Sequence, residues 1–336
     1  MIPHPDSRAS SRTVVILHNA VSDASSPDER DVLDQAEAIE CALGELGFRT
    51  VRIGLGLDLT AAVSALRDKA PLFAVNLVES LDARGCLIHV GPALLTAMRI
   101  PYTGGPLDAI FNTSNKLTGK RILALAGLPT PDWIEAEGIA ARHVEPGRYI
   151  IKSVWEHASV GLDDTSIVTG DIASIRQDMA SRRDRLGGLC FAERFIDGRE
   201  FNIGMLTTGG GPEGWPPAEI EFVGYADGKP KMVGYQAKWD ESSFEYHNTV
   251  RKYAFAETDG RLLEELADLS RACWDLFHLK GYARVDFRID SDGKPWILEI
   301  NANPCLSKDA GFAAALQRAG ISYTEAIRRI VSDLNV

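Results

Sequence analysis

Near its C-terminal end the chain reads RVDFRIDSDGKPWILEINANPCLS, an apolar run interrupted by Arg284, Asp286, Glu299 and Asn301. Strand side chains alternate, so Leu298 and Ile300 fall on one face and Ile297, Glu299 and Asn301 on the other. Asp292-Gly293 is a two-residue hairpin turn signal. With that pair in the turn, Ser291 faces Lys294, Asp286 falls opposite Glu299, and Arg284 falls opposite Asn301. An odd-length turn would shift this pairing by one. Like charges directly across a sheet repel, and burying an unpaired carboxylate is unfavourable. A divalent cation reverses that sign, and carboxylates with an amide oxygen are donors that suit Mg²⁺. The competing reading puts both acids on the solvated face of a hairpin. Two opposed acids that end in an Asn beside Arg284 favour the metal.

Other residues carry weaker signals. Lys152 lies among β-branched residues in YIIKSV and needs an anionic partner or an escape to solvent. Lys116, near a helix start, reads on its own as solvated. GGGPEG (Gly209–Gly214) satisfies G-x-G-x-x-G but precedes WPPAEIEF rather than a helix, so it reads as a loop between strands. No Walker A, H-E-x-x-H or G-x-S-x-G motif occurs. His157 reads as a solvent-facing loop residue and Cys305 as a small packed thiol. Trp155, Trp239, Trp274 and Trp296 are expected to pack locally.

These residues need elements to hold them. TVVILHN, RTVRIGL and LFAVNLV read as strands, alternating with helical patterns over ERDVLDQAEAIECALGELGF and TAAVSALRDK. Val32, Leu33, Ala36, Ile39, Leu43 and Leu46 mark the buried stripe of the first helix, with Gly47 as its stop. Such alternation implies an α/β unit with a parallel sheet, whose ligands meet the carboxyl ends of the strands, here His18-Asn19 and Asn76 to Glu79. A helix over SNKLTGKRILALAGLP, the strand RYIIKSVWE and the polar loop HASVGLDDTSI follow. ASIRQDMASRRDRLG reads as a helix. A strand–turn–strand through Asp197-Gly198, the strand AEIEFVGY, the long helix GRLLEELADLSRACWDLFHLKG and a last helix YTEAIRRIVSDL complete the reading.

The 336 residues suffice for two or three domains, and 45% hydrophobic with 25% charged residues is ordinary globular composition. The formal net charge of −11 argues against a nucleic-acid surface. Five scattered cysteines without a C-x-x-C pair argue against a disulfide framework or a zinc site and fit a reducing cytosol. No apolar run approaches the ~20 residues that cross a bilayer, and residues 1–12 read as a frayed tail.

Taken together, ERDV, IPYTG, NKLTGKRILALAGLPTP, IIKSVWEHASVG, ERFIDGREFNIGML, YQAKW and ARVDFRIDSDGKPWILEINANPCLS resemble, in order, the ATP-grasp superfamily and specifically the D-alanine–D-alanine ligases and their relatives. The resemblance implies an α/β, three-domain ATP-grasp fold with a Rossmann-like N-terminal parallel sheet. Its expected units are 1–108 on the substrate side, 109–191 as the central lid, and 192–336 with the metal and catalytic residues. It implies ATP and two Mg²⁺ as cofactors, with Lys116 and Lys152 on the phosphates. Glu193, Arg194, Phe195 and Ile196 would line the adenine, and Glu200 would take the ribose. Asp286, Glu299 and Asn301 would hold the metals, Lys238 would lie in a lid over the γ-phosphate, Arg284 would stabilise the tetrahedral intermediate, and Glu29 would bind the first substrate's ammonium. The implied activity is an ATP- and Mg²⁺-dependent carboxylate–amine ligase working through an acyl phosphate on amino-acid or peptide substrates, in the cytoplasm. A homodimer is common among such proteins. The alternatives are a ligase for another amino acid or peptide, and a nucleotide-binding relative without catalysis.

The amino-acid half departs from the family pattern. Glu79, in NLVESLDARG, stands where a histidine is expected, and reads either as an acceptor for a second amine or as a structural partner of Arg84. Trp239 replaces the lid tyrosine, Ala158 replaces a serine in the central loop, and Ala310 lies near the expected position of the serine that clasps the second substrate.

Overall fold

The structure, a computed structural model, describes residues 13–137, 144–208, 211–308 and 310–334. The tail expected over 1–12 lies outside the described residues, as do Gly209 and Gly210 of the glycine-rich stretch. The first β-branched run forms β1 (Thr13–Asn19) and is buried from Val14 onward. It is followed by α1 (Pro27–Glu45), β2 (Arg49–Leu55), α2 (Leu59–Lys69), β3 (Phe73–Leu77), α3 (Val90–Ala97) and β4 (Tyr102–Thr103). The strands form a parallel sheet in the order β2-β1-β3-β4. Ser26 and Glu29 cap α1 reciprocally, with Pro27 at its first position. Gly47, at φ 82°, adopts the left-handed conformation that ends such helices. The buried stripe departs from expectation in that Leu33 is exposed, Leu46 is half-buried, and Gln35 and Ala38 are buried.

The helices α4 (Leu107–Ser114) and α5 (Lys116–Leu125) lead to β5 (Trp133–Glu135), β6 (Gly147–Ser153), β7 (Ile167–Gly170), α6 (Ile172–Arg182) and β8 (Cys190–Arg194). These strands form an antiparallel sheet, β5-β8-β6-β7. The last part of the chain holds β9 (Arg199–Thr208), β10 (Gly211–Gly214), β11 (Ala218–Phe222), α7 (Tyr235–Trp239), α8 (Phe244–Asn248) and β12 (Thr249–Lys252). After these come α9 (Gly260–Leu276), β13 (Tyr282–Ile289), β14 (Pro295–Asn301), α10 (Gly311–Arg318) and α11 (Tyr323–Ser332). Its sheet is antiparallel in the order β12-β11-β9-β13-β14, with β10 paired to β9. Gly211–Gly214 is therefore a strand and not a loop.

The apolar face of α9 buries Leu266, Cys273 and Trp274 against Phe201, Phe287 and Ile297 of the last sheet. A second core joins the chain's two ends, because Phe312, Leu316, Ile327 and Ile330 of α10 and α11 pack with Val14, Ile16, Ile39 and Phe73 of the first sheet.

The β13–β14 hairpin corrects the expected turn and keeps the expected site. Gly293 donates to Asp290 O at 3.1 Å and Asp290 to Lys294 O at 3.1 Å, so the turn is longer than two residues. That offsets the distal pairing by one, Phe287 facing Ile297 and Arg288 facing Trp296. A bulge at Leu298 then restores the register, with Asp286 opposite Glu299 and Arg284 opposite Asn301. The bulge also changes the faces. Ile297 and Ile300 are core, while Leu298 and Glu299 both line a cleft.

Candidate active site

The cleft opens between the second and third sheets, and it gathers most of the residues singled out in the sequence. Lys116, Lys152, Glu193, Arg194, Phe195, Ile196, Glu200, Lys238, Asp286 and Glu299 all line it. Arg284 and Asn301 are set beside it by the β13–β14 register. Glu29 lines a second cavity, which shares Glu156, His157, Ala158, Val160 and Leu162 with the cleft.

Each charge has a physical reason to stay. Lys116, the first residue of α5, donates to Glu156 O at 2.7 Å and lies 3.8 Å from Glu299. It is not the solvated lysine its position alone suggested. Lys152 finds its anion in Glu193, which also pairs with Lys120 at 2.7 Å. Burial acts to raise the Glu193 carboxyl, but Lys120 and Lys152 overcome it and hold the group ionised, below the usual carboxylate range. The Glu193 side chain is thus a lysine anchor, and Arg194, Phe195 and Ile196 line the cleft after it. The N–H groups of Arg194 and Phe195 are bonded to Asp132 O and Arg148 O at 2.8 and 3.0 Å, so a base would rely on the remaining backbone groups of this segment. Glu200 lies 2.8 Å from Arg288, and burial raises its carboxyl despite that guanidinium.

At the hairpin Arg284 forks onto Asp286, Nε to Oδ1 at 2.7 Å and Nη2 to Oδ2 at 2.8 Å. Asn202 adds a bond to Oδ1 at 2.8 Å. Burial acts to raise Glu299, but Lys116 and the other cations around it keep it well below the usual range. The Asn301 amide is oriented by Asn303 N–H at 3.0 Å. Among the described residues no three His, Cys, Asp or Glu side chains are placed to hold a metal by themselves. Two carboxylates and an amide oxygen nonetheless fit Mg²⁺, which commonly takes one or two carboxylates and fills its shell with phosphate and water.

The lid is clasped. Trp239 Nε1 donates to Ala158 O at 3.0 Å, Ser159 Oγ to Val233 O at 2.8 Å, and Tyr235 OH to Asp28 at 2.9 Å. Trp239 therefore reaches across the site instead of packing locally. Trp155 likewise meets Phe111, at 5.8 Å between ring centroids. Trp274 lies in the α9 core, and Trp296 bonds the nearby Asp290. Ala158 and Ser159 have φ of 55° and 62°, a left-handed pair that side chains disfavour and that functional loops retain. Lys238, on α7, lines the cleft; burial lowers its pKa, and Arg284 adds to the effect.

Several residues were missed or misread. His157 is not solvent-facing: it lines both cavities, its Nε2 has no partner, and burial with Lys116 beside it lowers it to about 3. Glu79 does not pair with Arg84, which bonds Asp82 at 2.9 Å; it accepts from Gln35 at 3.0 Å. Lys120 and Arg288 were overlooked. Strand alternation from Arg284 and Asp286 would have placed Arg288 on their face. Nothing in the helical pattern separates Lys120 from a surface lysine. Cys305 is a packed thiol as expected, raised well above its ordinary value by burial and Asp31.

Known proteins resemble this chain in sequence and in fold. Residues 127–332 match the family described as the D-ala D-ala ligase C-terminus. An uncharacterized protein of Sinorhizobium fredii, y4sG, is 27% identical over 88% of this chain and 86% of its own length. A D-alanine–D-alanine ligase of Methylococcus capsulatus is 27% identical over 93% of this chain and 94% of its own length. Among solved structures, a D-alanine–D-alanine ligase from Bacillus anthracis superposes with a TM-score of 0.72 at 21% identity, covering 96% of this chain and 97% of that one.

Proposed function

Because the chain belongs to the D-ala D-ala ligase C-terminus family, we propose that it is an ATP-dependent ligase that joins a carboxylate to an amine. The observation that carries this reading is the meeting of Arg284, Asp286 and Glu299 with Lys116, Lys152 and Lys238 around one cleft. Residues 1–108, 109–191 and 192–336 act as its substrate, lid and catalytic units. The backbone after Glu193 holds the adenine, and Glu200, braced by Arg288, takes the ribose. Lys116 and Lys152 meet the phosphates as mobile point charges. Burial lowers the pKa of Lys116, and the Glu299 carboxylate beside it acts in the opposite direction. Asp286, Glu299 and Asn301 would hold Mg²⁺, which when bound neutralises phosphate charge.

The first substrate lies in the cavity that shares the Glu156–Ala158 wall with the cleft, its ammonium on Glu29. Its carboxylate oxygen attacks the γ-phosphorus, the bond to the bridging oxygen breaks, and ADP leaves an acyl phosphate. The second substrate's amine attacks the acyl carbon, loses a proton, and expels inorganic phosphate as the amide forms. Arg284 faces the oxyanion that develops in this step. The clasped lid keeps water from the acyl phosphate.

The test is phosphate release from ATP and Mg²⁺ across paired D- and L-amino acids. One productive pair supports the reading, and ATP binding without release from any pair overturns it. Combining Asp286→Asn with Glu299→Gln should abolish turnover and leave the circular dichroism spectrum unchanged. Undiminished turnover would remove the metal assignment.

A further inference from the structure

The cavity that holds Glu29 has more negative charge than a simple amino acid can answer. Asp28, Glu29, Glu79, Glu156 and Asp163 line it, against the single guanidinium of Arg185, which already pairs with Asp163 at 3.4 Å. An amino-acid zwitterion is neutral and leaves that imbalance in place.

Glu79 is the residue the local chemistry leaves unanswered. Its one bond is from Gln35 Nε2, at 3.0 Å to Oε1. Gln35 has nothing more to give. Its Oε1 accepts from Leu306 N–H at 3.0 Å, which fixes the amide orientation, and its second N–H goes to Asp31 at 3.0 Å. Asp31 is satisfied further by Ser307 and Cys305 at 2.8 and 3.0 Å. Glu79 has no such supply, and its Oε2 accepts from no described residue. Asn19 lines the same cavity, is 3% exposed, and keeps an amide oxygen without a partner. Burying an acceptor without a donor is unfavourable, so the orphaned Asn19 amide oxygen on this cavity's wall, together with a Glu79 carboxylate that has a single side-chain donor, points to a donor supplied by the ligand. Acceptors spread along a wall suit an extended organic cation.

We propose that the first substrate is an amino acid with a second protonated nitrogen, received by Glu79 with Asn19 beside it, while Glu29 holds the α-ammonium. The inference rests on the ligase reading for its substrate role, and the test separates the two. Phosphate release and equilibrium binding, the latter with a non-hydrolysable ATP analogue, are measured for alanine, 2,3-diaminopropionate, 2,4-diaminobutyrate, ornithine and lysine in both enantiomers. A diamino acid should exceed alanine at least tenfold in kcat/KM and in affinity. Glu79→Gln should shrink that ratio tenfold or more, and a ratio within one variant is independent of how much of it folds. Alanine turning over or binding as well as every diamino acid overturns the proposal and leaves the ligase intact. A diamino acid that binds tenfold better without phosphate release sustains the pocket and sinks the ligase.

Discussion

At the scale of single residues, two buried charges make opposite predictions. Lys120 is 2% exposed and bridges Glu193 to Thr130, whose hydroxyl donates to Ile297 O at 3.0 Å, one residue before the Leu298 bulge. Removing one partner of a buried ion pair costs about 3–5 kcal/mol. Lys120→Met should lose about that much in urea unfolding and raise the KM for ATP, because the strand carrying Leu298 and Glu299 loses a support. Glu79 has the other sign. Burial, with Asp31 and Asp28 adding repulsion, raises its carboxyl from 4.5 to about 7 against the Gln35 bond. The folded protein keeps a proton in that window that the unfolded chain has lost, so stability falls as pH rises through it. At 1.36 kcal/mol per unit the penalty reaches at most about 3 kcal/mol above neutrality. Glu79→Gln should therefore be more stable than the parent near pH ~8 and indistinguishable near pH ~4. Equal stability at both would show that Glu79 is solvated. The sequence made the charged residues of the hairpin legible because alternation is local. It hid Lys120 and Gln35, whose partners lie as far away as Glu193 and Leu306.

At the scale of elements, the hairpin shows how a right register can arise from a wrong turn. The longer turn and the Leu298 bulge each offset the pairing by one and cancel before Asp286. Asp-Gly marks a turn but does not set its length, and no residue type near Leu298 announces a bulge, so only the sum of the two was readable. The approach of β9 to this hairpin depends on Gly198, where any Cβ would lie 1.9 Å from Ile289 O. Arg288 also donates to Gly198 O at 3.1 Å. Gly198→Ala should destabilise the fold by several kcal/mol, as overpacking does, and weaken nucleotide binding through Arg288 and Glu200, both read by denaturation with a fluorescent ATP analogue. The proposed lid behaves differently, since its clasp joins half-buried residues, Trp239 to Ala158 and Ser159 to Val233. Trp239→Phe with Ser159→Ala removes two bonds of about 1 kcal/mol each. The expected result is a loss of at most about 2 kcal/mol in stability, with more phosphate released per amide formed as water reaches the proposed acyl phosphate. Unchanged coupling would mean that the clasp does not seal the site.

At the scale of the whole molecule, the chain's end completes its beginning. The alternation of strands and helices was legible, but the packing of α10 and α11 on β1, α1 and β3 was not, because contacts across some three hundred residues leave no local period. Phe312, Ile327 and Ile330 fill the first sheet's core. Asp333, just past α11, accepts from Thr207 Oγ of β9 at 2.9 Å and from Gly281 N–H, next to β13, at 3.0 Å. One helix therefore ties the N-terminal unit, which offers Asn19 from β1, Glu29 from α1 and Glu79 after β3, to the sheet that offers Arg284 and Asp286. The acyl transfer proposed here needs those two groups at a fixed separation, since a displacement of about 1 Å costs about 10²-fold in rate. Ile327→Ala should cost about 2–5 kcal/mol, and Asp333→Ala should loosen the tie without opening the core. In hydrogen exchange, Ile327→Ala should lower protection of β1 and β9 together. Asp333→Ala should reduce kcat more than it reduces stability. Protection lost in β1 alone would mean that the sheets are joined elsewhere, and that α11 serves only the first of them.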